Sequence, residues 1–355
     1  MWYRSVWRGS RLAGSGRALG LLLAAWVSAL AIAPATAEDS AVVLLYRAVG
    51  PDAGINHTAI ADFELHLAHL VENNYSVQPL ASVIAAMRGS GQSLLDRTVA
   101  LTFDMGDISV YREAWPRLKA AGLPMTVFVA TEQIDSAGAG QMSWADLREM
   151  AAAGATIGLH GARYSRVVGR DPAAVVQEVK RARQRVIDEI GAPPSLFAYP
   201  YGEYSAAVMR ALTGESGAGI DAAFGQHSGV VHRGSDFLAL PRFSMSGEFA
   251  AFDRFRIAVD ALPLPVSDLV PIDPVVEQNP PAVGFTLAEE LGSSATLSCF
   301  ASEAGKLSIE RLGERRVELR LPGPVQAKRL RINCTMPARE GRWRWLGLQY
   351  LIPAQ

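Results

Sequence analysis

Side chains able to do chemistry recur at the ends of apolar runs in the first 260 or so residues. Thr98-Val99-Ala100-Leu101-Thr102-Phe103 is a run of β-formers that stops at Asp104-Met105-Gly106-Asp107, which sets a carboxylate where a buried parallel strand gives way to a turn. Ala155-Thr156-Ile157-Gly158-Leu159 stops in the same way at His160, with Tyr164 four positions later, and His227 falls at the end of a later short strand. In α/β folds, chemistry collects at the carboxyl ends of strands. A carboxylate there can take a proton from an attacking water, and an imidazole can ligate a divalent metal or protonate a leaving amine. Met105 offers a thioether, a soft neutral ligand that suits copper(I) better than zinc or a harder ion. Asp107 has two readings: a further member of this cluster, or a turn carboxylate that caps the chain before Ser109.

The elements that must position these groups follow from the hydrophobic pattern. Val42-Val43-Leu44-Leu45-Tyr46 precedes a helical stretch at 62–71, and the run ending at Phe103 precedes one at 111–121. Met125-Thr126-Val127-Phe128-Val129 precedes 144–153, the run ending at His160 precedes 172–190, and Leu196-Phe197-Ala198-Tyr199 precedes 205–212. Repeated strand-then-helix order implies parallel strands covered by helices. A barrel suits the pattern better than an open sheet, because no Gly-rich dinucleotide loop follows the first strand. Prolines at 263, 265, 271, 274, 280 and 281 interrupt regular structure and predict a linker or extended strap. The alternating or apolar runs at 295–300, 307–310, 316–321, 329–334 and 343–352 then predict a small antiparallel β domain. The expected organisation is a leader at 1–37, an α/β barrel at 38–262, a Pro-rich linker at 263–281 and the β domain at 282–355.

The leader has three parts. Arg4, Arg8, Arg11 and Arg17 stand without an acid, residues 18–33 are apolar apart from Ser28, and Ala35-Thr36-Ala37 offers a small-x-small cleavage site. This is the pattern of a secretory signal peptide, with a secreted or periplasmic mature chain that starts at Glu38. The apolar run is shorter than the roughly 20 residues of a spanning helix, and no second run of that length follows, so no transmembrane span is expected in the mature chain. Cleavage takes four Arg from the 34 basic residues and none of the 35 acids, leaving 30 against 35. That mildly acidic balance argues against a nucleic-acid partner. Export also makes a disulfide between the two cysteines, Cys299 and Cys334, a natural expectation, worth roughly 3–4 kcal/mol for a loop of that span. Two thiols packed as small hydrophobes is the other reading.

Four segments resemble the motifs of the polysaccharide deacetylases, carbohydrate esterase family 4. Thr102-Phe103-Asp104-Met105-Gly106 stands where that family has TFDDG. Ile157 to Tyr164 stands where it has an H-x-x-x-H turn. Phe197-Ala198-Tyr199-Pro200-Tyr201-Gly202 is similar to its third motif, in the variant without Arg before the Pro. Ala223-Phe224-Gly225-Gln226-His227 with Leu240-Pro241-Arg242-Phe243 is similar to the last barrel segments of one bacterial branch. The resemblance implies a distorted (β/α) barrel of the deacetylase type, hydrolysis of acetamide C–N bonds, and an N-acetylated polysaccharide or oligosaccharide as partner. It implies Asp104 as the general base, and Pro200, Tyr201 and Arg242 as groove residues; His227 has two readings, the acid that protonates the leaving amine or a residue packed at the barrel rim. The Tyr201 backbone N–H would face the oxyanion, and Arg242 would orient Asp104 or form a structural ion pair. Of the three metal ligands the family uses, only His160 stands; Met105 and Tyr164 replace the others, and Arg47 replaces a His common in relatives. No cofactor is therefore expected, unless a shifted set of Asp104, Asp107, His160 and His227 holds a zinc-like ion. The competing expectation is a non-catalytic relative that keeps the sugar groove.

Other candidates have plainer readings. His57, His66 and His69 are expected on the surface or barrel exterior. Trp343 and Trp345 alternate on one predicted strand, either as core residues or as a pair of indoles that stack on sugar.

Overall fold

The computed structural model describes residues 39–136, 138–213 and 217–352. The leader and its cleavage site lie outside the described residues. Among the described residues no helix is long and apolar enough to cross a membrane.

Nine strands, among the described residues, make the sheet that curls into the barrel: β1 (Ser40–Tyr46), β2 (Thr98–Asp104), β3 (Thr126–Val129), β4 (Thr156–Leu159), β5 (Leu196–Ala198), β6 (Ala222–Phe224), β7 (Val230–His232) and β8 (Phe243–Ser244), with the two-residue Ser76–Val77 alongside β2. β1 to β6 pair in parallel in that order, and β7 is antiparallel to β1. The segment before β8 closes the sheet upon itself. Leu240 bridges Phe224 of β6, and β8 then pairs in parallel with Leu44 and Leu45 of β1.

Side chains alternate across this wall, and the alternation sets the site. Val99, Leu101 and Phe103 of β2 face the covering helices in one apolar cluster, whereas Ala100 belongs to the cluster inside the barrel with Phe128, Ala198 and Phe224. The same two-residue period carries Thr102 and Asp104 to the inner face. The helices bury one stripe each. In Pro172–Ile190 the buried positions are Val175, Val176, Val179, Ala182 and Val186, the 3–4 spacing of an amphipathic helix. Its start is fixed by Asp171, whose carboxylate accepts from Ala173 N–H, and by Pro172; its end is Gly191, in the left-handed region.

The C-terminal part is two facing sheets, antiparallel but for one short pair. One holds Val266–Val270, Val283–Leu287, Arg316–Arg320 and Ser308–Arg311; the other holds Leu262–Pro263, Trp343–Leu351, Arg329–Pro337, Ser298–Ala301 and Gly305–Lys306. Cys299 and Cys334 sit opposite each other in register and are disulfide-bonded within the shared core. The Pro-rich stretch differs from the expected linker: Leu262–Pro263 and Val266–Val270 each join a sheet. Pro263 is the one proline within these strands, on a sheet edge where a missing N–H breaks no ladder; Pro265 and Pro271 flank Val266–Val270.

The last strand also lies against the barrel. Leu346 bridges Gly229, Trp345 meets Phe243 edge-on at 5.3 Å, and the Gln349 amide donates to Gly202 O at 2.7 Å. Gly347 permits this approach, because a Cβ there would fall 1.9 Å from Ser228 O. Residues 37–355 form one compact unit.

Candidate functional site

Asp104 ends β2 on the inner face and is fully buried. Its two oxygens accept from Arg242, Nη1 at 2.7 Å and Nη2 at 2.8 Å, a bidentate pair. Arg242 sits on the segment that closes the barrel, between Leu240, which bridges β6, and Phe243, which pairs with β1. Its Nε donates to Gly225 O at 3.1 Å, Nη1 also reaches Thr102 Oγ1 at 3.2 Å, and the guanidinium lies 5.3 Å from the Phe128 ring centre. Burial would raise the Asp104 carboxyl; Arg242, then His160, outweighs it and holds the group below the ordinary carboxylate range. Arg242 is 0 % exposed, which corrects its expected place among groove residues. It is a positioning residue for Asp104 and cannot touch a substrate.

His160 follows β4 and is also fully buried. Its Nδ1–H donates to Ala198 O at 2.6 Å, which leaves the lone pair on Nε2, 3.5 Å from Asp104 Oδ2. Burial pushes the imidazole down against the pull of Asp104, so the neutral tautomer is favoured. A backbone carbonyl on one nitrogen and a free lone pair on the other is the posture of a metal-ligating histidine.

The two positions that would complete a ligand set do not follow. Met105 holds its turn at φ 84°, a backbone region that favours Gly, Asn or Asp over a side chain such as Met. Tyr164, at φ 57°, sets its ring edge-on to His160 at 4.6 Å and tilted against Tyr201 at 4.5 Å. Its hydroxyl accepts from Tyr201 N–H at 3.4 Å. The backbone donor expected to face an oxyanion therefore has an internal partner. Burial, then Asp104, raises the Tyr164 phenol above its ordinary value, which keeps it neutral and a poor ligand.

The shifted ligand set is not assembled either. Asp107 Oδ1 accepts from Ser109 N–H at 2.9 Å and from Ser109 Oγ at 2.6 Å, the capping role. His227 lines a different cavity from Asp104. Burial, then Arg242 and Arg331, pushes its imidazole down to about 4. Among the described residues no three His, Cys, Asp or Glu side chains are grouped to hold a metal. One imidazole with a thioether and a neutral phenol does not fit a zinc-like divalent ion.

Asp104 opens on a groove of about 410 Å³ walled by Arg47, Asn56, His57, Gln141, Tyr164 and Tyr201. Arg47 donates to Asn56 Oδ1 and, at 3.2 Å, to Gln226 Oε1. The Gln141 amide, turned to suit its neighbours, donates to Met105 O at 3.0 Å and Gly106 O at 3.1 Å and so ties down the turn. Pro200, next to Tyr201 in the turn after β5, is buried. Asn56 and Gln141 carry no sequence signal, since each reaches the groove from a loop. Of the two places expected for His66, surface or barrel exterior, it takes the second: it is 0 % exposed beneath its helix, bonded to Tyr46 Oη at 3.0 Å and Ala250 O at 2.8 Å, and stacked on Phe255 at 3.9 Å. Its spacing from Phe63 and Leu70 places it on the buried helix stripe. Trp345 packs on the barrel while Trp343 is 40 % exposed, so the two indoles do not form one sugar-stacking pair.

A parallel α/β barrel with a buried Asp–His pair at its mouth defines the class of carbohydrate-deacetylase barrels. The family model for polysaccharide deacetylase matches residues 91–217. YxkH of Bacillus subtilis (strain 168), whose name places it in the same family, is 24% identical over 151 residues, or 42% of this chain and 53% of that protein. The match thus spans about half the length of that relative. Among solved structures, the Streptococcus pyogenes deacetylase PplD in complex with acetate superposes with a TM-score of 0.55 at 18% identity, covering 60% of this chain and 95% of its own. IcaB from Ammonifex degensii superposes with a TM-score of 0.53 at 25% identity, covering 61% and 97%. Over residues 91–217 the chain thus resembles the polysaccharide deacetylase family, and its barrel has that family's fold.

Proposed function

We propose that this protein is an exported, glycan-binding member of its family in which metal-dependent hydrolysis has been lost. The observation that carries the reading is the hydrogen bond from Tyr201 N–H to the Tyr164 hydroxyl. One residue both removes a ligand and occupies the donor that would stabilise an oxyanion, and Met105 removes the second ligand. The groove meanwhile keeps what saccharide recognition needs: the aromatic faces of Tyr164 and Tyr201, and polar groups from Arg47, Asn56, His57 and Gln141. An N-acetylated polysaccharide or oligosaccharide is the partner that the family suggests. Export rests on the leader at 1–37.

A second reading, hydrolysis of acetamide groups on N-acetylhexosamine units, is favoured by the posture of His160. The two separate when full-length protein is mixed with N-acetylglucosamine oligomers, with and without a chelator, and both binding and acetate are followed. Binding that survives the chelator without acetate release supports the proposal. Acetate released on adding zinc, cobalt or nickel overturns it.

A further inference from the structure

Four arginines gather around Tyr201, Gly202 and Glu203, the turn that lies between the groove and the C-terminal sheets. The Arg166 guanidinium is 4.3 Å from the Tyr201 ring centre, and Arg166 and Arg329 both donate to Glu203 Oε1, Arg329 at 2.7 Å. Arg331 lies two residues beyond Arg329 on the same strand and therefore on the same face. It stands opposite Gln349, whose amide donates to Gly202 O at 2.7 Å. Arg47, in the groove wall, donates to Gln226 Oε1 at 3.2 Å, and Gln226 packs so closely on Gly202 that a Cβ there would fall 2.6 Å from it.

Carboxylates do not match these four charges. Glu203 serves both Arg166 and Arg329, whereas Arg47 and Arg331 make no ion pair among the described residues. Asp104 is already matched by Arg242, and Asp107 turns to Ser109. Desolvation, then the like charges of Arg329 and Arg47, holds the Arg331 guanidinium below its ordinary value, yet arginine stays charged at neutral pH. Arg166 and Arg331 are exposed residues, so the excess positive charge is open to a ligand.

We propose that the groove and this arginine cluster form one site for an acidic glycan, in which an N-acetylhexosamine unit in the groove adjoins a uronic acid whose carboxylate sits among Arg47, Arg166, Arg329 and Arg331. A planar carboxylate accepts two parallel N–H bonds from a guanidinium, so arginine suits it. Tyr201 joins the two halves, since it lines the groove and lies against Arg166. This rests on the glycan-binding reading of the groove and gives the partner its charge.

The test uses the full chain and two oligomers of equal length, one alternating N-acetylglucosamine with glucuronate and one of N-acetylglucosamine alone, each titrated by calorimetry. The acidic oligomer should bind about tenfold more tightly at low salt. That margin should shrink at about 0.3 M salt. Arg331→Gln should weaken acidic binding roughly tenfold and so close most of the margin. Neutral binding with no acidic margin overturns the inference and leaves the groove reading standing; binding of neither oligomer overturns both. A margin that persists in Arg331→Gln overturns the inference, as does capture by phosphatidylglycerol vesicles with no acidic margin, which would mark a membrane contact. Should the variant fail to fold, the wild-type margin and its salt dependence still decide.

Discussion

Restoring the two replaced ligand positions should create a metal site in this groove. In Met105→Asp with Tyr164→His, the first change suits its backbone, since φ 84° is tolerated better by Asp than by Met. Relief of that strain should contribute up to about 1 kcal/mol. The second change removes a half-buried ring that packs on His160 and Tyr201, at a cost of about 1–2 kcal/mol, and frees Tyr201 N–H. The double variant without metal should therefore be about as stable as the parent. His160 already holds Nδ1 on Ala198 O and points Nε2 away from it. Each added ligand should count for at least the 10–100-fold of an outer-shell partner, so affinity for zinc should rise about 10²–10⁴-fold. Thermal unfolding with and without zinc reads this directly: at a hundredfold excess over Kd, binding stabilises by about 2.7 kcal/mol. A folded double variant that gains no zinc-dependent stability would show that positions 105, 160 and 164 do not converge, and the reasoning would fail.

Three further outcomes follow from the packing. Arg242→Met leaves the Asp104 carboxylate buried without its partner and should cost about 3–5 kcal/mol in urea unfolding, most of it recovered by adding Asp104→Leu; equal losses in the single and double variants would refute the pair's role. His66 and His227 are both pushed down to about 4 by burial. Their unfolded forms bind protons below about 6.5, so each contribution is complete above that pH and is lost as pH falls to 4, about 3 kcal/mol per group; a urea midpoint unchanged between pH 7 and 4 would contradict this. Gly347→Ala should cost about 3 kcal/mol, because its Cβ would meet Ser228 O; an unchanged melting temperature would mean that the last strand is not held against the barrel as described.

The barrel strands and the inward placement of Asp104 and His160 were legible because buried parallel strands read as apolar runs and their last residues fall at the mouth. The disulfide was legible from export and cysteine count, and its partners proved to be register neighbours on adjacent strands. What depends on contacts through space was not. Tyr164 meets Tyr201 only because both residues adopt positive φ, which no local pattern announces in a tyrosine. His227 follows a strand end as a catalytic histidine would, yet the turn after β6 carries it into a cavity beside the C-terminal sheets. For His66 the sequence left surface and barrel exterior open, and its helical spacing from Phe63 and Leu70 explains why it is buried on the exterior. The prolines at 263–281 hid two short strands because they crowd around them: Pro265 and Pro271 flank Val266–Val270, and Pro263 sits in an edge strand that can spare a donor.

The central claim, that this protein has no working metal centre, is tested most directly by titrating zinc into the wild-type chain at neutral pH by calorimetry. The account predicts no stoichiometric binding, only weak heats of the kind one histidine gives. One zinc bound per chain with submicromolar Kd, displaced by a chelator and abolished by His160→Ala, would contradict it.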